Sequence, residues 1–107
     1  MTRRSKYGNV KVEADGYKFD SKLERDRYEE LKLLQKAGEI WQLEVHPSWT
    51  IEINQYKVCR IVMDFAFYID GTNTYVVEDC KGVDNAVSRL KRKLLHAVHG
   101  ITTVVIK

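Results

Sequence analysis

The stretch on which this fold most depends is Tyr75-Val76-Val77-Glu78-Asp79-Cys80-Lys81-Gly82. Its first residues are aromatic or β-branched, a composition that predicts a strand. Because successive strand side chains point to opposite faces, Asp79 and Lys81 share one side of the predicted sheet and Cys80 takes the other. Charged groups in a strand are costly unless they are paired or bind a cation. The stretch therefore predicts a polar site at the end of a strand.

A second apolar run, residues 58–69, precedes this strand and is predicted to be its hairpin partner. Asp70-Gly71 separates the two runs, and this dipeptide between apolar segments is a strong hairpin signal. The run is apolar on both faces, which is typical of a central strand covered on both sides, and Asp64 is the acid within it. One set of alternating residues is predicted to face the main core: Ile61, Met63, Phe65 and Phe67.

The position of the turn sets which residues face each other. A turn centred on residues 71–72 places Asp64 directly opposite Asp79, and one centred a residue earlier makes the two aspartates diagonal neighbours on the same face. A register shift of one residue would instead bring Glu78 opposite Asp64 and turn Lys81 away. The hairpin therefore favours Asp79 over Glu78 as the functional acid.

Two interpretations of these acids stay open at this point. Adjacent aspartates repel each other, which raises the pKa of at least one of them unless a cation lies between them. Carboxylate oxygens are hard ligands that suit Mg²⁺ or Mn²⁺ rather than zinc. The alternative is that Asp64, Asp79 and Lys81 form an ordinary cross-strand ion cluster on a solvated face.

Length and composition predict one small globular domain. The chain has 107 residues, 44% of them hydrophobic and 31% charged, which suits a single domain over residues 1–107 with a basic arm at residues 1–8. No apolar run approaches the length needed to span a bilayer, so we expect no membrane contact and a cytoplasmic location. Cys59 and Cys80 form no Cys-x-x-Cys motif and are expected to be reduced thiols.

The remaining elements predict an α/β fold. A short hairpin with its turn at Asp15-Gly16 comes first. Helices are predicted at residues 22–37 and 86–99, an apolar-rich segment lies at 40–43, and further strands are predicted at 48–53 and 101–106. The strand at 48–53 is expected to pair with the run at 58–69. The result is a three-layer α/β sandwich around a mixed sheet, in the order helix, three antiparallel strands, helix, strand, with the last strand parallel to its neighbour.

Glu24 lies in the first turn of the first predicted helix and has two interpretations. Ser21-x-x-Glu24 matches a capping box, in which the glutamate binds a backbone N–H and has no other role. Alternatively, Glu24 projects toward the sheet as a third functional carboxylate, which would require a different N-cap arrangement.

Basic residues concentrate at two places, and both clusters suit phosphate backbones. They are Arg3, Arg4 and Lys6 near the N-terminus, and Arg89, Lys91, Arg92 and Lys93 on the second predicted helix. The alternative is a solvated tail and a solvated helix face. The three histidines lack a convincing metal spacing and are expected to be structural, with His46 as the exception because its segment can lie near the site.

Taken together, these residues resemble a known family. Helix-borne Glu24, Asp64 on the second strand of a meander and Asp79-Cys80-Lys81 on the third resemble the active-site frame of the PD-(D/E)xK nuclease superfamily. More narrowly, four segments look like a family of small phage-encoded proteins in that superfamily: Lys6-Tyr7-Gly8-Asn9, Phe19-Asp20-Ser21-Lys22-Leu23-Glu24, Asp64-Phe65 and Val77-Glu78-Asp79-Cys80-Lys81-Gly82. The likeness covers nearly the whole chain. Met63 stands where the superfamily's name motif has proline, a departure that is common in the superfamily.

The resemblance implies a restriction-endonuclease-like core and a metal-dependent DNA endonuclease. It implies that Asp64, Asp79 and the Cys80 backbone carbonyl bind Mg²⁺ or Mn²⁺. Glu24 would complete the site directly or through water, and Lys81 would orient the attacking water. The two basic clusters would contact neighbouring DNA phosphates. Small nucleases of this kind often act as homodimers on branched DNA such as Holliday junctions, and we carry this over as an extension.

Functions of other classes also stay open. A non-catalytic DNA-binding or assembly subunit that keeps the fold would explain the basic clusters, although acids near phosphate weaken such binding. A purely structural interaction module would bind no DNA.

Overall fold

Two helices and eight strands form the part of the chain that the structure describes, residues 11–107 of a computed structural model. In chain order they are β1 (Val12–Ala14), β2 (Tyr17–Phe19), α1 (Lys22–Lys36), β3 (Ile40–Val45), β4 (Ser48–Ile53), β5 (Tyr56–Val62), β6 (Phe65–Ile69), β7 (Thr74–Cys80), α2 (Ala86–His99) and β8 (Thr103–Ile106). The fold is therefore mixed α/β, as predicted.

The main sheet has four strands in the order β3-β6-β7-β8. β6 pairs antiparallel with both β3 and β7, and β8 pairs parallel with β7. The chain returns to the sheet through α2, which ends where Gly100 adopts a left-handed conformation with φ 70°. The predicted parallel pairing of the last strand is confirmed.

The two helices lie on opposite faces of this sheet. Phe65 and Phe67 of β6 pack in a cluster with Leu31 of α1. Ala66 lies between them in sequence and packs in a second cluster with Leu95 of α2. Because neighbouring residues of a strand point to opposite faces, α1 and α2 cover opposite sides of β6. Leu95 is the fully buried residue of α2, whereas Val87, Leu90 and Val98 are exposed.

The prediction of one long strand over residues 58–69 was wrong. The run is divided into β5 and β6 by a break at Met63 and Asp64, opposite His46 and Pro47 between β3 and β4. Hydrogen bonds continue across the joint, from the Met63 N–H to the Pro47 carbonyl (3.0 Å) and from the His46 N–H to the Asp64 carbonyl (2.9 Å). The two paired segments of the chain therefore bend together at this joint.

The cause of this bend lies on the β3–β4 side of the joint. Proline has no N–H to donate to a strand ladder, and His46 adopts a left-handed backbone conformation with φ 55°. The register is unchanged through the joint, since Val45 lies opposite Phe65 before it and Ser48 lies opposite Val62 after it.

The bend overturns two further predictions. β4 pairs antiparallel with β5, which confirms the predicted pairing of residues 48–53 with the following run. The two strands form a separate sheet, however, so the third antiparallel strand of the main sheet is β3. Ile61 and Met63 do not share a face with Phe65, because β5 folds away from the main sheet at the joint. They pack instead on the α2 side of the sheet.

Neither helix within residues 11–107 combines the length and apolar character that a bilayer crossing requires.

Candidate functional site

The β6–β7 hairpin brings Asp64 and Asp79 together. Phe65 lies opposite Glu78 and Ile69 opposite Thr74, which is the register of a turn centred on residues 71–72. One residue beyond this ladder, the Asp64 N–H donates to the Glu78 carbonyl at 3.1 Å. The ladder therefore has the register predicted for a turn centred on residues 71–72, and it ends at Phe65, one residue before Asp64.

Asp64 is held in place from across the sheet. Its Oδ2 atom accepts a 2.6 Å hydrogen bond from the backbone N–H of Cys80. Its carboxyl group lies within 4.8 Å of that of Glu24, and its charge acts on Asp79. Asp64 therefore stands between an acid on β7 and an acid on α1.

Glu24 faces this cluster from the first turn of α1 and is only 7% exposed. Ser21 is the N-cap and its Oγ accepts from the Glu24 N–H (3.2 Å), while Glu24 Oε2 accepts from the Asp20 N–H (3.0 Å). The two interpretations of Glu24 are therefore not alternatives. One carboxylate oxygen caps the helix start, and the group still reaches the acid cluster without a different N-cap.

His46 joins the cluster from the joint between β3 and β4. One donor atom each from Glu24, His46 and Asp64 lies within 4.8 Å of the others, the spacing of a group able to hold a metal ion. Sequence reasoning expected structural histidines with His46 as the exception, and the structure places His46 among the acids. The signal in the sequence was the following Pro47, which marks the end of β3.

Asp79 lies beside this group rather than within it, and two cations contact it. Lys81 Nζ is 3.6 Å from Asp79 Oδ1, and Arg92 Nη1 is 3.7 Å from Asp79 Oδ2. Cys80 packs on the α1 side of the sheet, so the predicted placement of Asp79 and Lys81 on one side and Cys80 on the other is confirmed. Burial raises the pKa of the Cys80 thiol to about 12, and both cysteines are free.

Burial raises the pKa values of Asp64 and Asp79. Burial and the neighbouring Glu24 raise the pKa of Asp64 to about 7. Burial and the charge of Asp64 raise the pKa of Asp79 to about 6, although Lys81 opposes that shift. Both carboxyl groups are therefore harder to ionise than ordinary aspartates, first because they are buried and then because other acids lie close to them.

Glu78 had no predicted partner, and the structure supplies one. It is 3% exposed, and its two carboxylate oxygens accept 2.8 and 2.6 Å hydrogen bonds from Arg27 of α1. Bidentate pairing of this kind is the strong form of an ion pair. Arg27 therefore ends at the sheet rather than in water, and Glu78 joins α1 to β7 on the face away from Asp79.

The site is open to solvent on one side. A groove of about 680 Å³ is lined by Glu24 and Ser21 from the start of α1, and by Cys80, Lys81 and Gly82 from the end of β7. A ligand in this groove would lie against both Glu24 and Lys81.

The predicted DNA-binding residues differ in their exposure to solvent. Arg89 and Lys93 are exposed and line a groove of about 440 Å³ between α2 and the start of β8. Lys91 is exposed elsewhere on α2. Arg92 also borders the groove but is largely buried, with Nη2 bound to Asp84 Oδ2 at 2.6 Å. Arg3, Arg4 and Lys6 lie outside the described residues.

Fold and site together define a mixed α/β protein with a buried acid cluster, a histidine and a lysine at one end of its main sheet. The chain belongs to the family described as "protein of unknown function (DUF1064)", which it matches over residues 4–103. No curated protein and no solved structure matches it.

Proposed function

We propose that this protein is a metal-dependent DNA endonuclease of the PD-(D/E)xK type. The observation that carries the proposal is the convergence of Glu24 from α1 and Asp64 from the joint before β6, with Asp79 of β7 beside them, at one end of the main sheet. The element order supports it, since α1, the antiparallel strands β3, β6 and β7, then α2 and the parallel β8 agree with the expected restriction-endonuclease-like core.

The donor set fits a hard divalent cation. Three carboxyl groups crowd together, and the raised pKa values of Asp64 and Asp79 mark a charge that a cation would stabilise. In the proposal, Asp64, Asp79 and the Cys80 carbonyl hold Mg²⁺ or Mn²⁺, with Glu24 completing the site. Such an ion lowers the pKa of a bound water and offsets the charge that develops on the phosphate.

The chain's own residues then have separate roles. Lys81 borders both the acid cluster and the open groove, so its ammonium group can orient a water molecule toward a phosphate in that groove. Arg92 is hydrogen-bonded to Asp84, and its guanidinium group lies 3.7 Å from the Asp79 carboxylate on the α2 side. Asp64 is fixed by the Cys80 N–H.

The same proposal assigns DNA as the partner. Exposed Arg89, Lys91 and Lys93 would contact neighbouring phosphates, as would the N-terminal cluster of the sequence. A homodimer would supply two sites for two strands, as symmetric cleavage of branched DNA requires. The exposed apolar residues Val87 and Leu90 of α2 are consistent with contact between copies.

A second candidate is a non-catalytic DNA-binding subunit, and one observation favours it. Lys81 and Arg92 both contact Asp79, so that acid is partly neutralised by the chain itself without a metal. Such a protein would bind DNA in a salt-dependent way that EDTA does not change.

Cleavage assays separate the two candidates. The purified protein is incubated with linear duplex, single-stranded DNA and a four-way junction, each with Mg²⁺, with Mn²⁺ and with EDTA. The endonuclease proposal expects cleavage that requires the divalent ion. DNA binding without nicking of any substrate under either ion would support the binding subunit instead.

A further inference from the structure

His46 is the one member of the metal-binding group that the nuclease frame inferred from the sequence does not contain. We propose that the His46 imidazole is a metal ligand that makes this site prefer Mn²⁺, or a similar transition-metal dication, over Mg²⁺. This inference rests on the proposed function, because it assumes that the acid cluster binds a divalent ion.

The position of the ring follows from the bend in the chain. His46 has φ 55°, a left-handed conformation that few non-glycine residues adopt, and its N–H donates to the Asp64 carbonyl at 2.9 Å. The backbone of His46 is therefore fixed to the residue whose side chain is the central acid. On its other side the ring lies 5.8 Å from the ring of Phe19, centre to centre.

The three donor atoms lie close to the spacing of ligands that share one ion. One donor atom of His46, one of Glu24 and one of Asp64 lie within 4.8 Å of one another. Two ligands of one ion lie at most about 4.2 Å apart when each bond is about 2.1 Å. Only small side-chain movements would bring all three donors onto one ion.

The chemistry of the donors then decides between ions. Mg²⁺ favours oxygen ligands and near-ideal octahedral geometry, and it gives up its waters reluctantly. Imidazole nitrogen suits transition-metal ions, whose affinities for mixed nitrogen and oxygen sites rise from Mn²⁺ along the first row. A site with two carboxylates and one imidazole therefore favours Mn²⁺ over Mg²⁺, whereas the same site without the imidazole loses most of that preference.

The packing against Phe19 would be the same if His46 had only a structural role. The test therefore needs a variant that keeps the backbone conformation of residue 46 and removes only the imidazole. His46→Asn is suitable because asparagine tolerates the left-handed conformation but offers no imidazole. His96→Asn is the matched control, since His96 is an exposed histidine on α2 outside the metal group.

The experiment measures binding of Mn²⁺ alone and Mg²⁺ alone to the full chain by calorimetry, together with the ¹⁴N hyperfine coupling of bound Mn²⁺ by electron spin-echo spectroscopy. Circular dichroism checks that each variant is folded. We expect tighter binding of Mn²⁺ than of Mg²⁺ and a nitrogen coupling in the unmodified protein. His46→Asn should weaken Mn²⁺ binding by about 10- to 100-fold, change Mg²⁺ binding by no more than about threefold and abolish the coupling. His96→Asn should change none of these.

Two results would overturn the inference in different ways. If His46→Asn leaves both affinities and the spectrum unchanged while Asp64→Asn abolishes binding, His46 is structural and the proposed metal site stands. If neither ion binds the unmodified protein, the role of His46 and the proposed metal-dependent function both fail.

Discussion

Asp64 and Cys80 are joined across the β6–β7 hairpin by a 2.6 Å hydrogen bond from the Cys80 N–H to the Asp64 side chain. This contact holds a carboxyl group at the point where the chain bends away from the main sheet. The acid cannot turn out to solvent without losing the bond, so it stays beside Glu24 and Asp79. The chemistry of the site therefore depends on the Asp64 carboxyl group, which the fold keeps partly buried.

The first prediction concerns stability as a function of pH. The folded pKa of Asp64 is about 7, against an ordinary value of 3.8, so between these values the folded state binds more protons than the unfolded chain. Stability is then lost as pH rises through this window, and the raised pKa of Asp79 acts in the same direction. We expect the free energy of unfolding, measured by urea denaturation in EDTA, to fall by about 2–3 kcal/mol from pH 5 to pH 8.

Asp64→Asn is the control for that prediction, because the amide oxygen can still accept from the Cys80 N–H but cannot ionise. This variant should show a much smaller fall, and Mg²⁺ or Mn²⁺ should raise the stability of the unmodified protein at pH 8. Equal slopes for the variant and the unmodified protein would show that Asp64 does not carry a raised pKa.

The second prediction concerns the buried ion pair between α1 and β7. Arg27→Ala leaves Glu78 charged and buried without a partner, and we expect it to destabilise the fold by about 3–5 kcal/mol. Arg25→Ala is the matched control, since Arg25 pairs with the exposed Asp26 and should cost about 1 kcal/mol or less. Thermal and chemical denaturation measure both. A loss for Arg27→Ala no larger than that for Arg25→Ala would contradict the assigned pair.

The third prediction separates the role of Lys81 from metal binding. Lys81→Met keeps much of the side-chain volume but removes the ammonium group that borders the groove. We expect single-turnover DNA cleavage to slow by about 100- to 1,000-fold while metal affinity changes little. Lys57→Met, at an exposed position on β5, should leave the rate unchanged. A Lys81 variant that cleaves normally would remove this residue from the mechanism.

The fourth prediction concerns DNA affinity. Arg89→Ala and Lys93→Ala should each weaken binding to any DNA sequence and lower the slope of log affinity against log salt by about 1. Lys36→Ala at the end of α1 is the control, because α1 lies on the opposite face of the sheet. Binding can be measured by fluorescence anisotropy in EDTA. Equal salt slopes for all three variants would place the DNA elsewhere.

Much of the fold could be predicted from local signals. The Asp70-Gly71 turn sets a register that brings Asp64 next to Asp79, and Ser21 with Glu24 marks the start of α1 as a capping box. These features depend on residues close together in the chain. The hairpin register and the start of α1 can therefore be predicted from the sequence.

The bend at residues 46–47 and 63–64 was not predicted, because it depends on a long-range pairing. The run at residues 58–69 alternates like one strand. Its interruption comes from Pro47 and the left-handed His46, which lie in the segment paired with it. The same pairing carries His46 to the acids. Pro47 is the sequence signal that could have indicated the break.

The partner of Glu78 also could not be predicted, because Arg27 lies 51 residues away in the chain. The sequence pattern at Glu24 does not show that its carboxylate has two oxygens free to serve both the helix start and the acid cluster. Side-chain partners across elements need the tertiary structure.

Single-turnover cleavage of a four-way junction by the Asp64→Asn and Asp79→Asn variants tests the central claim most directly. The unmodified protein and Asp26→Asn, which alters an exposed acid on α1, serve as references. We expect the unmodified protein and Asp26→Asn to cleave in Mg²⁺ or Mn²⁺ at the same rate, and both site variants to be slower by about 100-fold or more. Cleavage by Asp64→Asn and Asp79→Asn at the unmodified rate would contradict the assigned site.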